Sequence, residues 1–309
     1  MPAEDQRAGL IILGGFLGAG KSTWLRHQLR AGMLRGAEVF VNEAAGTPVD
    51  DLLLGDAARV TVLAGGCACC DGRPALVAAL RKWCDRRNGA ARVVLETSGL
   101  ADPARIVEAV GADPVLTHHL RVSEVIVLAD APNVLVQLAD EPLGWQQIEA
   151  ADRIVLTKGE ALPDARLAAL AGALARINPD ALIEAAEQGV ARALPALAGI
   201  DPAQLPPHPG NAKPITPTEL VMMPGADPSA VLVWLSALLH ARGGDLVRVK
   251  GVVRTAAGRL LIQAVRGVVQ QPQILPDADR PDTDDRLIVL GRDASPKQLR
   301  ESFTHFTAS

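Results

Sequence analysis

The chain has 309 residues, 49% hydrophobic and 21% charged, with 28 Gly and 22 Pro, which is enough apolar material for about two cored domains and excludes disorder and collagen-like repetition. With 31 basic against 35 acidic residues the net charge is −4, so no positive excess exists to neutralise a phosphate backbone, and nucleic acid is not expected as a partner. Aromatics are 3% and Tyr is absent, so a bound base must be held by hydrogen bonds and aliphatic packing.

The apolar stretch from Gly9 to Gly20 is too short to cross a bilayer. Glu4 and Asp5 ahead of it do not suit the basic start of a signal peptide, so no membrane partner and a cytoplasmic address are expected. In chain order, Leu10 to Leu13, Val39 to Val41, Val60 to Leu63, Val93 to Leu95, Val122 to Leu128 and Ile154 to Leu156 read as buried strands. Helical patterns lie between several of them: Ser22 to Ala31, Pro74 to Trp83, Pro103 to Val110 and Asp164 to Ile177. Alternation of this kind predicts an α/β fold with a mostly parallel sheet and helices on both faces. Ligands then sit beyond the carboxyl ends of the strands.

From Ala193 to Pro217 the composition shifts to Pro, Ala and Gly, which predicts a linker over residues 193–217 between domains at 1–192 and 218–309. Beyond it, Asp227-Pro228 opens a helix carrying Val231, Leu232, Leu235, Leu238 and Leu239. Leu246 to Val253 and Leu260 to Val265 flank Gly258 as a hairpin, Leu287 to Leu290 adds a strand, and Ser295-Pro296 opens a final helix. The second domain is expected to be a smaller α+β unit.

Three segments carry chemistry. Gly15-Phe16-Leu17-Gly18-Ala19-Gly20-Lys21-Ser22-Thr23 satisfies G-x-x-x-x-G-K-[ST] directly after a strand and before a helix. Its glycines let backbone N–H groups surround phosphate oxygens, Lys21 neutralises the terminal phosphates, and Ser22 is the expected Mg²⁺ ligand. In Val93-Val94-Leu95-Glu96-Thr97-Ser98-Gly99 an acid ends a strand and a glycine follows three places on. Glu96 suits the Mg²⁺ shell or the attacking water, and the Gly99 amide the γ-phosphate. After a further strand comes Thr157-Lys158-Gly159-Glu160, which resembles the Asn/Thr-Lys-x-Asp element of GTPases. An acid there accepts two hydrogen bonds that guanine offers and adenine does not; the extra methylene of Glu160 weakens that selectivity.

The cysteines point elsewhere. Cys67, Cys69 and Cys70 stand within four residues after Gly65-Gly66, and Cys84 sits in a predicted helix as a core residue. Three soft ligands at this spacing suit Zn²⁺ or a similar divalent ion and leave one coordination position open, which favours transfer; the alternative is a patch of small buried residues. Of the six histidines, His118 and His119 are neighbours whose side chains diverge and the other four are scattered, and none is expected as a ligand.

Taken together, GGFLGAGKST, GGCACC, VLETSGLADP and DRIVLTKGE in this order resemble the CobW-type metal-chaperone GTPases, relatives of the nickel-insertion GTPases. The likeness continues through Gly244 to Gly251 and Asp285 to Arg292 of the second domain. It implies a P-loop NTPase fold, GTP hydrolysis with Mg²⁺, and Zn²⁺ or Co²⁺ at Cys67, Cys69 and Cys70. By position, Gly15, Gly18, Ala19, Gly20, Lys21, Ser22 and Thr23 take the phosphates, Lys21, Glu96 and Gly99 the catalytic side, and Thr157, Lys158 and Glu160 the base. The partners implied are a metal-receiving apoprotein and, as an option, a second copy of the chain. Two departures stand out: the first switch reads Asn42-Glu43-Ala44-Ala45-Gly46 where the family shows Asn-Glu-Phe-Gly-Glu, and no histidines lie near Val265 to Gln270. The first leaves an alternative, a nucleotide-binding regulatory or scaffold module with negligible turnover; the second argues against metal storage.

Overall fold

The computed structural model describes residues 7–42, 59–63, 67–86, 92–196, 199–209, 216–222, 227–243, 245–255, 258–265, 268–269, 272–275, 285–292 and 294–307. The expected first switch beyond Asn42 and the Gly65-Gly66 turn lie outside these residues. The chain divides into two compact units, Arg7–Asn211 and one that includes Ala212–Ser309.

The first unit runs β1 (Ala8–Gly15), α1 (Lys21–Arg30), β2 (Glu38–Asn42), β3 (Val60–Leu63), α2 (Arg73–Asp85), β4 (Arg92–Glu96), α3 (Pro103–Gly111), α4 (Pro114–His119), β5 (Leu120–Asp130), α5 (Val134–Asp140), α6 (Pro142–Ala150), β6 (Arg153–Thr157), α7 (Asp164–Ile177), β7 (Leu182–Glu187) and β8 (Val190–Arg192). Among the described residues these strands form one sheet in the order β3-β2-β4-β1-β5-β6-β7-β8. It is parallel throughout except for the β7–β8 hairpin at its edge. β1 is buried at every position, as a strand covered on both faces must be. On one face Ile11, Leu13, Val39, Val41, Val94 and Ile126 pack with Trp24, Leu25 and Leu29 of α1.

Chain order reverses at β1, since the chain leaves it for β2 on one side and arrives at β5 on the other. A crevice at the carboxyl ends of β1 and its neighbours follows from that reversal. Gly14 and Gly15 make the exit from β1 possible: a Cβ on Gly14 would sit 3.0 Å from Pro103 Cγ, and one on Gly15, at φ +129°, would strike the Leu128 carbonyl.

Part of the Pro-rich stretch is laid on the first unit. Ala203 N–H donates to Ala169 O at 2.8 Å, a Cβ added to Gly172 would meet Pro202 Cγ at 3.3 Å, and the His208 ring lies 4.9 Å from that of Trp145. Proline blocks regular structure there without preventing packing, because its ring is itself an apolar surface.

The second unit holds β9 (Thr216–Val221), α8 (Pro228–Arg242), β10 (Leu246–Thr255), β11 (Gly258–Val265), β12 (Val268–Val269), β13 (Gln273–Leu275), β14 (Arg286–Gly291) and α9 (Pro296–Thr307). Its strands pair antiparallel, in the order β12-β11-β10-β14-β9 with β13 against β11. Val231, Trp234, Leu235 and Leu239 of α8, with Leu299 and Phe303 of α9, cover the face that presents Leu220, Val249, Val253, Ile262, Leu287 and Val289. Asp227 caps α8 through the Ser229 N–H at 2.9 Å, and Trp234 meets Phe303 edge-on at 4.9 Å. Among the described residues no helix is long and apolar enough to cross a membrane.

Candidate functional site

The phosphate-loop segment wraps tightly between β1 and α1. Gly15, Gly18 and Gly20 all have positive φ, a conformation glycine adopts without the Cβ penalty. Ala19 N–H closes a turn on Phe16 O at 3.1 Å. Lys21 is buried, and its ammonium folds back to donate to Gly15 O at 2.8 Å and Phe16 O at 3.0 Å. The first helical turn carries no acid, so the helix dipole and Lys21 together favour an anion at this end. Ser22 is half-buried and Thr23 is exposed.

The turn from β4 into α3 faces this loop. Ser22 Oγ donates to Glu96 Oε1 at 2.5 Å, a charge-assisted bond between residues 74 apart in sequence. Thr97 is pinned to β1, its N–H and Oγ1 both donating to Leu13 O, at 3.0 and 3.1 Å. Gly99 closes on the loop from the other side: a Cβ there would lie 2.5 Å from Leu17 N and 2.7 Å from Leu17 Cα. Gly99→Ala is therefore expected to push the two segments apart and lower stability by about 1–3 kcal/mol, read as a drop in the thermal midpoint; an unchanged midpoint would show that the turn yields freely.

The other end of the same turn touches the cysteines. Cys67, Cys69 and Cys70 bring their sulfur atoms within 4.8 Å of one another, with Cys67 2.9 Å and Cys70 3.3 Å from Cys69. Backbone bonds from Cys70 N and Gly72 N to Cys67 O, at 3.0 and 2.9 Å, curl the segment into this cluster just ahead of α2. Ser98 Oγ donates to Cys67 Sγ at 3.5 Å, and the Cys69 thiol donates to Leu100 O at 3.9 Å. Asn42, buried at the end of β2, accepts from Ala68 N at 2.8 Å. Cys69 is buried, Cys67 half-buried and Cys70 exposed. Burial above all, helped by the bond to Cys67 and opposed by the Asp102 N–H that donates to its sulfur, pushes the Cys69 thiol up to about 12. Cys84 is buried in α2, as expected of a core residue.

At the base side, Thr157 Oγ1 donates to Ala19 O at 2.8 Å and Ala129 O at 3.3 Å, tying β6 to the phosphate loop. Lys158 has φ +58°, rare for a residue with a Cβ, and its ammonium meets Asp130 Oδ2 at 2.7 Å. Glu160 follows in a 3-10 turn over Gly159–Ala161 and is exposed. Its carboxylate is thus open to solvent rather than committed to the core.

Three buried polar residues beside these segments escaped sequence reasoning. Asp130 ends β5 as Glu96 ends β4 and accepts from both Lys158 and Asn133; an acid closing a buried run was the available clue. Gln147 of α6 and Asn178 after α7 are buried carboxamides, the first bonding to carbonyls of the turn between β4 and α3 and the second to carbonyls at the carboxyl end of α6, and no local pattern marks them.

The nucleotide-binding domain described as CobW/HypB/UreG matches residues 9–184, more than half of the chain. The chain belongs to the CobW/HypB/UreG family. The C-terminal domain of the cobalamin synthesis protein CobW matches residues 225–307. A zinc chaperone of Escherichia coli, YjiA, is 36% identical over 183 residues, an alignment covering 58% of this chain and 57% of that protein, so just over half of that relative is spanned. The zinc chaperone CobW of Pseudomonas aeruginosa is 28% identical over 302 residues, covering 82% and 79% of the two chains. Among solved structures, that of Zn(II)-bound YjiA GTPase from E. coli superposes with a TM-score of 0.64 at 25% identity, over 97% of this chain and 99% of that one. The family match spans both the phosphate loop and the cysteine cluster.

Proposed function

We propose that this chain is a GTP-hydrolysing metallochaperone that binds a divalent ion, Zn²⁺ or Co²⁺, at Cys67, Cys69 and Cys70 and passes it to a metal-receiving apoprotein. One observation carries the reading: a single seven-residue turn, Glu96 to Asp102, bonds to Ser22 of the phosphate loop at one end and to Cys67 and Cys69 at the other. The names of the relatives, zinc chaperones both, support zinc as the cargo.

In this mechanism Gly15, Gly18, Ala19, Gly20, Lys21, Ser22 and Thr23 cradle the phosphates through backbone N–H groups and the Lys21 ammonium. The Ser22 hydroxyl and Glu96 carboxylate form a pair of hard oxygen donors that fits Mg²⁺, and they would hold it. Bound there, the ion would supply charge neutralisation at the phosphates. Gly99 lies close enough to Leu17 for its amide to follow the γ-phosphate. Thr157 fixes β6 against the phosphate loop, Lys158 is steadied by Asp130, and Glu160 accepts from guanine. Glu160→Ala is expected to reduce the preference for GTP over ATP by about tenfold or more, because each hydrogen bond to a charged acceptor contributes about 1.5–3 kcal/mol; competition between the two nucleotides measures it.

With a triphosphate bound, the turn is held and the cysteine loop grips the ion. After hydrolysis Gly99 is released and the grip loosens, and exposed Cys70 is where an acceptor first reaches the ion. Useful delivery needs about a hundredfold difference in affinity between the two states, about 2.7 kcal/mol. Phosphate release from Mg²⁺GTP with and without Zn²⁺ or Co²⁺, paired with zinc competition titrations in the two nucleotide states, tests this. Absence of turnover under every metal, or equal zinc affinity in both states, would overturn it.

Zinc affinity should also climb with pH. The Cys69 thiol, held up to about 12, is protonated throughout the working range, and zinc must displace that proton. Each displaced proton makes the apparent affinity about tenfold stronger per pH unit between pH 6 and 8, so the rise should be about tenfold per unit or steeper, read by chelator competition at a series of pH values.

A further inference from the structure

We propose that Gln147 is a positioning residue that makes zinc grip depend on nucleotide, by holding the turn from β4 to α3 on both sides of Leu100. The proposal rests on the metallochaperone reading above and adds the part against which the turn moves. The Gln147 side chain is 2% exposed, and its one amide group donates to Gly99 O at 3.3 Å and to Ala101 O at 2.9 Å. Leu100, between those two carbonyls, turns its own carbonyl to the Cys69 thiol, and the next N–H but one, from Asp102, donates to the Cys69 sulfur. Whatever orients Gly99 and Ala101 therefore orients the two backbone groups that meet Cys69.

The helix that carries Gln147 is also anchored away from the turn. Gln147 stands in the last turn of α6, whose carboxyl end is tied down by Asn178: Nδ2 donates to Ile148 O at 2.9 Å, Glu149 O at 3.3 Å and Ala151 O at 2.9 Å. The chain then enters β6, which ends at the Thr157 bond to the phosphate loop. Because Gln147 holds the turn at Gly99 and at Ala101, a shift of Gly99 toward a γ-phosphate is carried to Leu100 and Asp102 beside Cys69. Without the amide, two buried carbonyls lose their donor and the turn relaxes independently of the nucleotide.

The test uses Gln147→Glu, which keeps the shape and removes both N–H donors, and Gln147→Leu, with Zn²⁺ as the probe. Chelator competition gives the ratio of zinc affinities with a non-hydrolysable GTP analogue and with GDP. The wild-type ratio should be about a hundredfold, and both variants should fall to threefold or less. A wild-type ratio of one overturns the metallochaperone reading and this proposal with it; a full ratio retained by both variants overturns this proposal alone. If neither variant folds, amide exchange in the wild-type protein decides. Exchange at Leu100 to Asp102 must change between the two nucleotides, and identical exchange there overturns the proposal.

Discussion

Cys69→Ala is expected to weaken zinc binding by about three orders of magnitude while leaving GTP affinity within about twofold of wild type. Structural zinc sites contribute about 10–16 kcal/mol from all their ligands together, so one of three thiolates accounts for about 4 kcal/mol, a thousandfold in affinity. Cys69 is the member whose loss matters most, because it is the buried one and its sulfur neighbours both of the others. Alanine fills most of its small site, and its contacts with Leu100 and Asp102 are weak sulfur bonds, so the fold should survive. Competition against a chromophoric chelator measures zinc, and a fluorescent GTP analogue measures the nucleotide. Zinc affinity unchanged in this variant would mean that the ion sits elsewhere.

Lys21→Ala is expected to produce the opposite pattern, a loss of GTP turnover of about a hundred- to a thousandfold, as for removal of one positioned donor from a developing charge, with nucleotide-free zinc binding retained. The Lys21 ammonium now bonds to two carbonyls of its own loop, and phosphate oxygens offer it better acceptors because they are charged. Phosphate release under saturating Mg²⁺GTP checks the first half and chelator competition the second. Near-normal turnover would remove the phosphate loop from the mechanism, and parallel loss of zinc would mean that Lys21 supports the whole crevice rather than the phosphates. The two variants together separate the ends of the molecule that the Glu96 to Asp102 turn joins.

Much of this was legible beforehand. Gly15, Gly18 and Gly20 take the positive φ values that their spacing before Lys21 requires, and the runs at Leu10, Val39, Val60, Val93, Val122 and Ile154 all lie within strands of the parallel sheet. These are local facts, set by backbone sterics and by apolar runs that must be buried on both faces. Less legible were α4, α5 and α6, short helices whose apolar positions do not repeat long enough to stand out, and the hairpin edge at β7 and β8. The Pro-rich stretch near Ala203 was legible in composition but not in placement, since its docking on α7 depends on a groove made elsewhere in the chain.

What the sequence determined by itself was the inventory: a glycine-rich loop ending in Lys21 and Ser22, three thiols close enough to share an ion, an acid three places after the end of β6, and the order in which they occur. Each of these depends on neighbours within a few residues, so chain geometry alone constrains them. Only the tertiary structure decided that Ser22 meets Glu96, that Ser98 and Leu100 reach the cysteines, and that Gln147 holds the turn between them. Those meetings join residues roughly 30 to 75 positions apart. They exist because reversal of strand order at β1 brings the ends of β1, β4 and β5 to one crevice, where burial leaves each polar group to find its partner across the sheet.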